Sequence, residues 1–238
     1  MNPLRLSTSP KGDPLPEVLW VDAVLLVINK PAGLRSLPDG YDPSQPYVRR
    51  LLEPHYGRLW MVHRLDKETS GVLVLARSAA AHRALNTQFE QHLAHKTYHA
   101  LVSGIPEWET TTVRLPLRPN GDRRHRTVVD QSSGKPAVTN LRLLQRYSST
   151  CLVEAQPETG RTHQIRAHLA AAGLPILGDA LYGAPPLPGL PLETLALHAY
   201  SLELAHPVSG LPLHLAAPYP PAFQSALQWL SSQGKHFP

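Results

Sequence analysis

The sequence predicts an α+β protein whose core is a mainly antiparallel, mixed β-sheet with helices and loops packed around it. Two observations carry this prediction. Short runs rich in Val, Leu and Ile recur between turn residues along most of the chain, and only three segments place apolar residues at helical spacing. A third observation bounds the size. With 238 residues, 42% of them hydrophobic, the chain can bury a core as one large domain or two small ones.

Residues 1–16 are rich in Pro, Ser and Gly and read as a loose tail, with a single domain expected over 17–238. Val18–Trp20 and Val24–Ile28 read as strands around an Asp-containing turn, and Pro31 and Gly33 break the second. "GVLVLA" (71–76) is apolar throughout, which predicts a strand buried on both faces. "SAAAHRALNTQFEQHLA" carries Ala81, Leu85, Phe89 and Leu93 at helical spacing behind Ser78, a candidate N-cap. "KTYHALVSG" returns to a strand that ends at Gly104. "TTTVRLPLRP" and "RRHRTVVD" predict a hairpin with a basic tip near Asn120-Gly121, and 137–157 predicts two strands joined at Ser148-Ser149. "RTHQIRAHLAAAG" reads as a helix closed by Gly173. A hairpin turning at Ser209-Gly210 and a last helix, "PAFQSALQWLSSQG", complete the chain, and the Pro-rich "GAPPLPGLPLE" reads as a surface loop.

Composition excludes several classes of function. The single cysteine, Cys151, rules out an intramolecular disulfide, disfavours a Cys-based zinc site and suits a reducing cytoplasm. No apolar run approaches the ~20 residues of a membrane span, so a soluble, intracellular protein without a membrane partner is expected. The sequence contains neither G-x-x-x-x-G-K-[ST] nor G-x-G-x-x-G, which argues against a nucleotide cofactor. Thirteen histidines raise the question of a metal. His63 and Asp66 could share a helical face, but His163 and His168 lie five apart, roughly 140° out of phase on a helix, and there is no H-E-x-x-H. No metal site is expected.

Lys+Arg exceed Asp+Glu by five, and the excess is clustered. Arg123, Arg124 and Arg126 crowd one loop, and Arg49, Arg50, Arg58 and Arg64 another stretch, a pattern suited to phosphate binding. One carboxylate, Asp66 in "MVHRLDKETSGVLVLA", sits among these cations on the shoulder of the buried strand. It could be a turn residue and no more. A second dense segment, "PETGRTHQIRAHL", shifts the balance, because Arg161, His163, Gln164 and Arg166 fall within about one and a half helical turns. Arg161 and Arg166 then face different ways, one toward a buried acid and one toward solvent or phosphate. A guanidinium beside Asp66 would hold it ionised and oriented, as a catalytic carboxylate requires.

"HRLDKETSGVLVLA", "KTYHALVSG", "GKPAVT", "ETGRTHQIRAHLAAAGLPILGDALYG" and "LHAYSLELAHPVSG" resemble, in order, the motifs of RluA-type pseudouridine synthases. The likeness runs from Glu17 to Pro218. Only residues 1–16 precede the first strand, too few for the family's small S4 RNA-binding domain, which resembles a shorter branch acting on transfer RNA, large-subunit ribosomal RNA or both. The resemblance implies a sheet core around a central RNA-binding cleft and isomerisation of uridine without a cofactor. It implies that Asp66 is the catalytic carboxylate, that Arg166 ion-pairs with it, that Tyr98 lies against the uracil, and that Ile165 adds an apolar wall. Arg64 would fill the space left by the flipped nucleotide. Lys30, Lys135, Arg161, His163, Gln164 and the Arg123–Arg126 loop would contact RNA. The partner expected is a structured stem-loop of ribosomal or transfer RNA, bound by a monomer. The rival readings are a nucleoside-bond hydrolase, for which no second carboxylate is suitably placed, and a non-catalytic RNA-binding protein of the same fold.

Overall fold

A computed structural model describes residues 15–42 and 44–233. The predicted tail, except for Leu15 and Pro16, lies outside the described residues. The chain divides into two compact units, one of residues 1–96 and 199–218, the other of 97–198 and 219–238. The chain passes between them three times, so no single interior linker exists for composition to reveal.

In the first unit β1 (Glu17–Val21) and β2 (Leu25–Lys30) form a hairpin whose turn is built on Asp22. Its Oδ1 accepts the N–H groups of Val24 (2.8 Å) and Leu25 (2.7 Å), the local bonding that makes Asp a turn residue. Helix α1 (Val48–Tyr56) was not foreseen. It buries Val48, Leu51 and Leu52, so Arg49 and Arg50 belong to a helix rather than a loop. The short β3 (Trp60–Met61) leads through a loop to β4 (Ser70–Ala76), buried at every residue as the apolar run requires. Helix α2 (Ala79–Glu90) begins as expected, with Ser78 Oγ accepting the Ala81 N–H at 3.1 Å. It stops before Leu93, which is exposed rather than on the predicted apolar face.

The strand order in this unit is β1-β2-β4-β11, where β11 (Leu197–Ala205) pairs with β12 (Pro212–Ala216) and β3 with β4. Leu25, Val27, Val72, Val74, Leu85, Leu202 and Leu215 are among the side chains of its core.

The second unit holds most of β5 (His95–Ser103), which pairs antiparallel with β10 (Thr150–Pro157). Next to β10 lies β9 (Val138–Arg146), and then β6 (Thr110–Arg114). The predicted basic hairpin is therefore shorter than expected. Only β7 (Leu117–Arg118) and β8 (Val128–Val129) form it, while β6 pairs with β9. Helix α3 (Gln164–Ala171) is buried from Gln164 through Leu169. Gly173 follows at φ 75°, the left-handed position that glycine tolerates after a helix. A 3₁₀ turn (Ala180–Tyr182) and the Pro-rich loop come next, and α4 (Pro221–Gln233) packs Phe223, Ala226 and Leu230 into the core with Leu101, Val153, Leu169 and Ile176.

Candidate active site

Asp66 lies in the irregular stretch between β3 and β4, not on a helix, so it shares no helical face with His63. The stretch is held at successive points. His63 carries on where β3 ends: its Nε2 accepts the Val74 N–H at 3.0 Å, and its ring stacks on Phe89 with centroids 4.8 Å apart. Burial pushes its pKa down to about 3, aided by the charge of Lys96, so the ring is neutral with its proton on Nδ1. Leu65 is clasped by the buried Ser36, whose hydroxyl donates to the Leu65 carbonyl (2.7 Å) and accepts its N–H (3.1 Å). On the other side of Asp66, the Lys67 carbonyl accepts from the Gly33 N–H (2.9 Å) and from Lys30 Nζ (3.1 Å). The Asp66 carbonyl itself accepts the Thr69 N–H at 3.2 Å. Both peptide neighbours of Asp66 are thus fixed, its side chain is half-buried, and Arg64 is exposed beside it.

Lys30 corrects an expectation. It is fully buried, and its ammonium donates to the carbonyls of Pro31 (2.9 Å), Leu34 (2.7 Å) and Lys67. Three donors meet three acceptors, so Lys30 ties the turn at Pro31–Leu34 to the backbone next to Asp66 and has no surface to offer RNA. Burial lowers its pKa to about 7, opposed by the charges of Glu68 and Asp66. The sign of the linkage follows. Between about pH 7 and the ordinary lysine value, the unfolded chain binds the proton that the folded chain has lost, so stability rises with pH. Lys96, also lowered by burial, acts in the same direction, whereas Cys151, raised to about 11, opposes only above its ordinary value of 9.0. Unfolding free energies from urea titrations at pH 7, 8 and 9 should therefore climb, by at most about 1.4 kcal/mol per pH unit for one group. Lys30→Met should flatten most of that climb. An equal slope in both proteins would show that Lys30 does not titrate there.

In the second unit Tyr98 sits half-buried on β5 against the core, and Ile165 is buried in that core. Helix α3 starts later than predicted. His163 is its N-cap residue in a left-handed conformation (φ 51°), and Arg161 lies before it, exposed, with Nε on the Pro136 carbonyl at 3.2 Å. The helical-phase argument for Arg161 therefore does not apply. Gln164 is a second correction. Its Nε2 donates to the Val138 carbonyl (2.9 Å) and Thr139 Oγ1 (3.0 Å), while its Oε1 accepts from Thr159 Oγ1 (2.7 Å) and the Arg161 N–H (3.0 Å). A buried amide with its bonding used internally ties α3 to β9 and is not placed to read RNA.

Arg166 does point at a buried acid, and that acid is Asp179. Nε and Nη2 make a bidentate pair with Oδ2 (2.7 Å) and Oδ1 (2.8 Å), with the guanidinium carbon 4.9 Å from the centre of the Tyr182 ring. The Tyr182 hydroxyl donates to the Thr127 carbonyl (3.1 Å), accepts the Thr127 N–H (3.0 Å) and lies 3.2 Å from His163 Nδ1. The basic loop is close to the same 3₁₀ turn: Arg124 donates to the Ala180 carbonyl (3.2 Å) and Arg126 pairs with Asp122 at 2.6 Å. Arg123 and Lys135 are exposed. Sequence reasoning assigned no role to Ser36, Asp179 or Tyr182, although the last two stand in the motif "GDALYG".

Comparison with known proteins defines the class. Residues 24–171 match the family model described as RNA pseudouridylate synthase. The chain belongs to the RNA pseudouridylate synthase family and is an isomerase that forms pseudouridine in RNA. It is 39% identical to the dual-specificity RNA pseudouridine synthase RluA of Pasteurella multocida, over 92% of this chain and 99% of that one. With the ribosomal large subunit pseudouridine synthase D of Xanthomonas campestris pv. campestris it shares 41% identity, covering 93% of this chain and 71% of the relative. Among solved structures it is similar to human RNA pseudouridylate synthase domain containing 4, with TM-score 0.75 and 30% identity over 90% and 93% of the two chains. Among the described residues no helix is long and apolar enough to cross a membrane.

Proposed function

We propose that this chain isomerises specific uridines in a structured stem-loop of ribosomal or transfer RNA, with Asp66 as the catalytic carboxylate. The reaction breaks the N1–C1′ bond, turns the uracil and joins C5 to C1′; the proton displaced from C5 leaves to solvent and the released N1 takes one up. Atoms and electrons balance without a cofactor. Asp66 acts at the sugar, either by adding to C1′ or by taking a ribose proton, and both routes require a carboxylate held in one place. The observation that carries this assignment is the fixing of Leu65 and Lys67 on either side of it by Ser36, Gly33 and Lys30. A turn residue with no catalytic role does not call for a buried lysine bonded to the backbone next to it.

Tyr98 lies against the uracil in this reading, Ile165 supplies an apolar wall, and Arg166 ion-pairs with Asp66. The exposed Arg64 enters the space the flipped base vacates, where a planar cation stacks on neighbouring bases. Arg123, Arg124, Arg126, Arg161 and Lys135, together with His163, meet the RNA backbone and make binding fall with salt. The enzyme acts as a monomer in the cytoplasm. Large-subunit ribosomal RNA and transfer RNA, each carrying tritium at uracil C5, test the target. Release of label from one or both names the substrate class, and release from neither would reject the proposed targets.

A further inference from the structure

We propose that Asp179 is a positioning residue for this isomerisation, acting through Arg166. The inference rests on the role proposed for Arg166 and extends the site to a carboxylate with no chemistry of its own. A guanidinium is a flat fork, and a catalytic carboxylate is oriented only if that fork is itself held in one plane. Asp179 holds it by one edge, taking Nε and Nη2 in two parallel bonds. Tyr182 holds it by one face. Edge and face together fix the plane and direction of the guanidinium, which is what orients Asp66 in the proposed function.

The supports are in turn anchored. The Asp179 side chain is 1% exposed and the Arg166 side chain 9%, so water does not compete for the pair. Asp179 Oδ1 also accepts the Tyr182 N–H at 3.2 Å, which locks the carboxylate to the 3₁₀ turn. The Tyr182 hydroxyl is locked to the backbone of Thr127. Charge points the same way. Asp179 already neutralises the guanidinium, so what Arg166 brings to a second carboxylate is two aimed hydrogen bonds rather than a net positive charge. Misplacing a catalytic group by about 1 Å can cost on the order of 100-fold in rate. A loosened Arg166 should therefore slow the chemistry and leave RNA binding intact.

The test compares Asp179→Asn, Arg166→Met and the double variant under saturating RNA, with thermal midpoints recorded alongside. Asp179→Asn keeps the shape but sets an amide donor against a guanidinium donor. It should lower kcat by about 100-fold with KM within threefold of wild type. The double variant should be no slower than Arg166→Met alone, because Asp179 acts only through Arg166. Should Asp179→Asn fail to fold, Asp179→Glu retains the charge on a longer arm and should lower kcat about tenfold at unchanged KM. Folded Asp179 variants with wild-type kcat would overturn the proposal, as would losses that multiply in the double variant. If wild type turns over no RNA, the proposed function fails instead, and the two failures are distinguishable.

Discussion

Asp66→Asn is expected to fold, to bind RNA within about threefold of wild type, and to lose turnover by about 10⁴-fold or more. The fold should survive because the loop is held on either side of Asp66 by bonds to the backbone of its neighbours. Ser36 grips the backbone of Leu65, Lys30 and Gly33 grip the carbonyl of Lys67, and Thr69 bonds the Asp66 carbonyl. Asparagine is nearly the same size, so the half-buried site neither gains a cavity nor loses a backbone contact. Binding should survive because the phosphate contacts proposed for this chain come from arginines other than Asp66's neighbours in the loop. The chemistry should not survive, since a neutral amide neither adds to C1′ nor takes a ribose proton. One secondary effect follows. The Asp66 charge helps to support the buried Lys30 ammonium, so its removal should shift that amine further toward its neutral form. A variant retaining a tenth or more of wild-type turnover would remove Asp66 from the centre of the reaction.

Gly71→Ala is expected to cost at least about 3 kcal/mol, lowering the thermal midpoint by about 10 °C in a chain of this size. Glycine-to-alanine changes in relaxed backbone usually stabilise, by about 0.4–1 kcal/mol, so the sign here is the informative part. Gly71 adopts φ +115°, and a Cβ placed on it would lie 2.1 Å from the Ala199 carbonyl oxygen and 2.7 Å from the Ala199 nitrogen. Those are backbone atoms of the adjacent strand and have no flexible end to swing away. Nor can Gly71 retreat in the other direction, because it is paired with Lys30 in β2. Any shift it does make reaches the ammonium bonded to the backbone next to Asp66. Turnover of the variant should therefore fall along with its stability. Calorimetry of wild type and variant decides the matter, and midpoints within 2 °C would refute the packing described.

What the sequence disclosed, and what it hid, divides along the range of the interactions. The buried strand "GVLVLA" and the Ser78-capped helix were legible because each is dictated by its own residues and their period. The α+β architecture followed from such elements. Helix α1 escaped because arginines and Pro54 mask a pattern carried by only Val48, Leu51 and Leu52. The partner of β6 escaped because pairing it with β9 rather than with the β8 segment is settled by contacts across the sheet, which no local signal encodes. His163 takes a left-handed conformation that its residue type does not announce, so the start of α3 was placed too early.

At the site, Asp66 was visible as an acid among cations, but the helical phase that turned one arginine toward a buried acid does not hold, because Arg161 precedes α3. The acid found beside Arg166 is thirteen residues away in the chain, at Asp179, and only folding brings the two together. Lys30 reads as a surface cation because lysines are seldom fully buried. What buries it is a cage of three carbonyls made by turn geometry, to which side-chain chemistry contributes nothing.

The central claim is that the chain moves uracil from N1 to C5 attachment without releasing it. The most direct measurement is a single-turnover reaction on RNA carrying tritium at uracil C5, followed by digestion to nucleosides. The account predicts one tritium lost to water for each pseudouridine recovered, with no free base. Free uracil in the supernatant, or pseudouridine that keeps its C5 label, would contradict it.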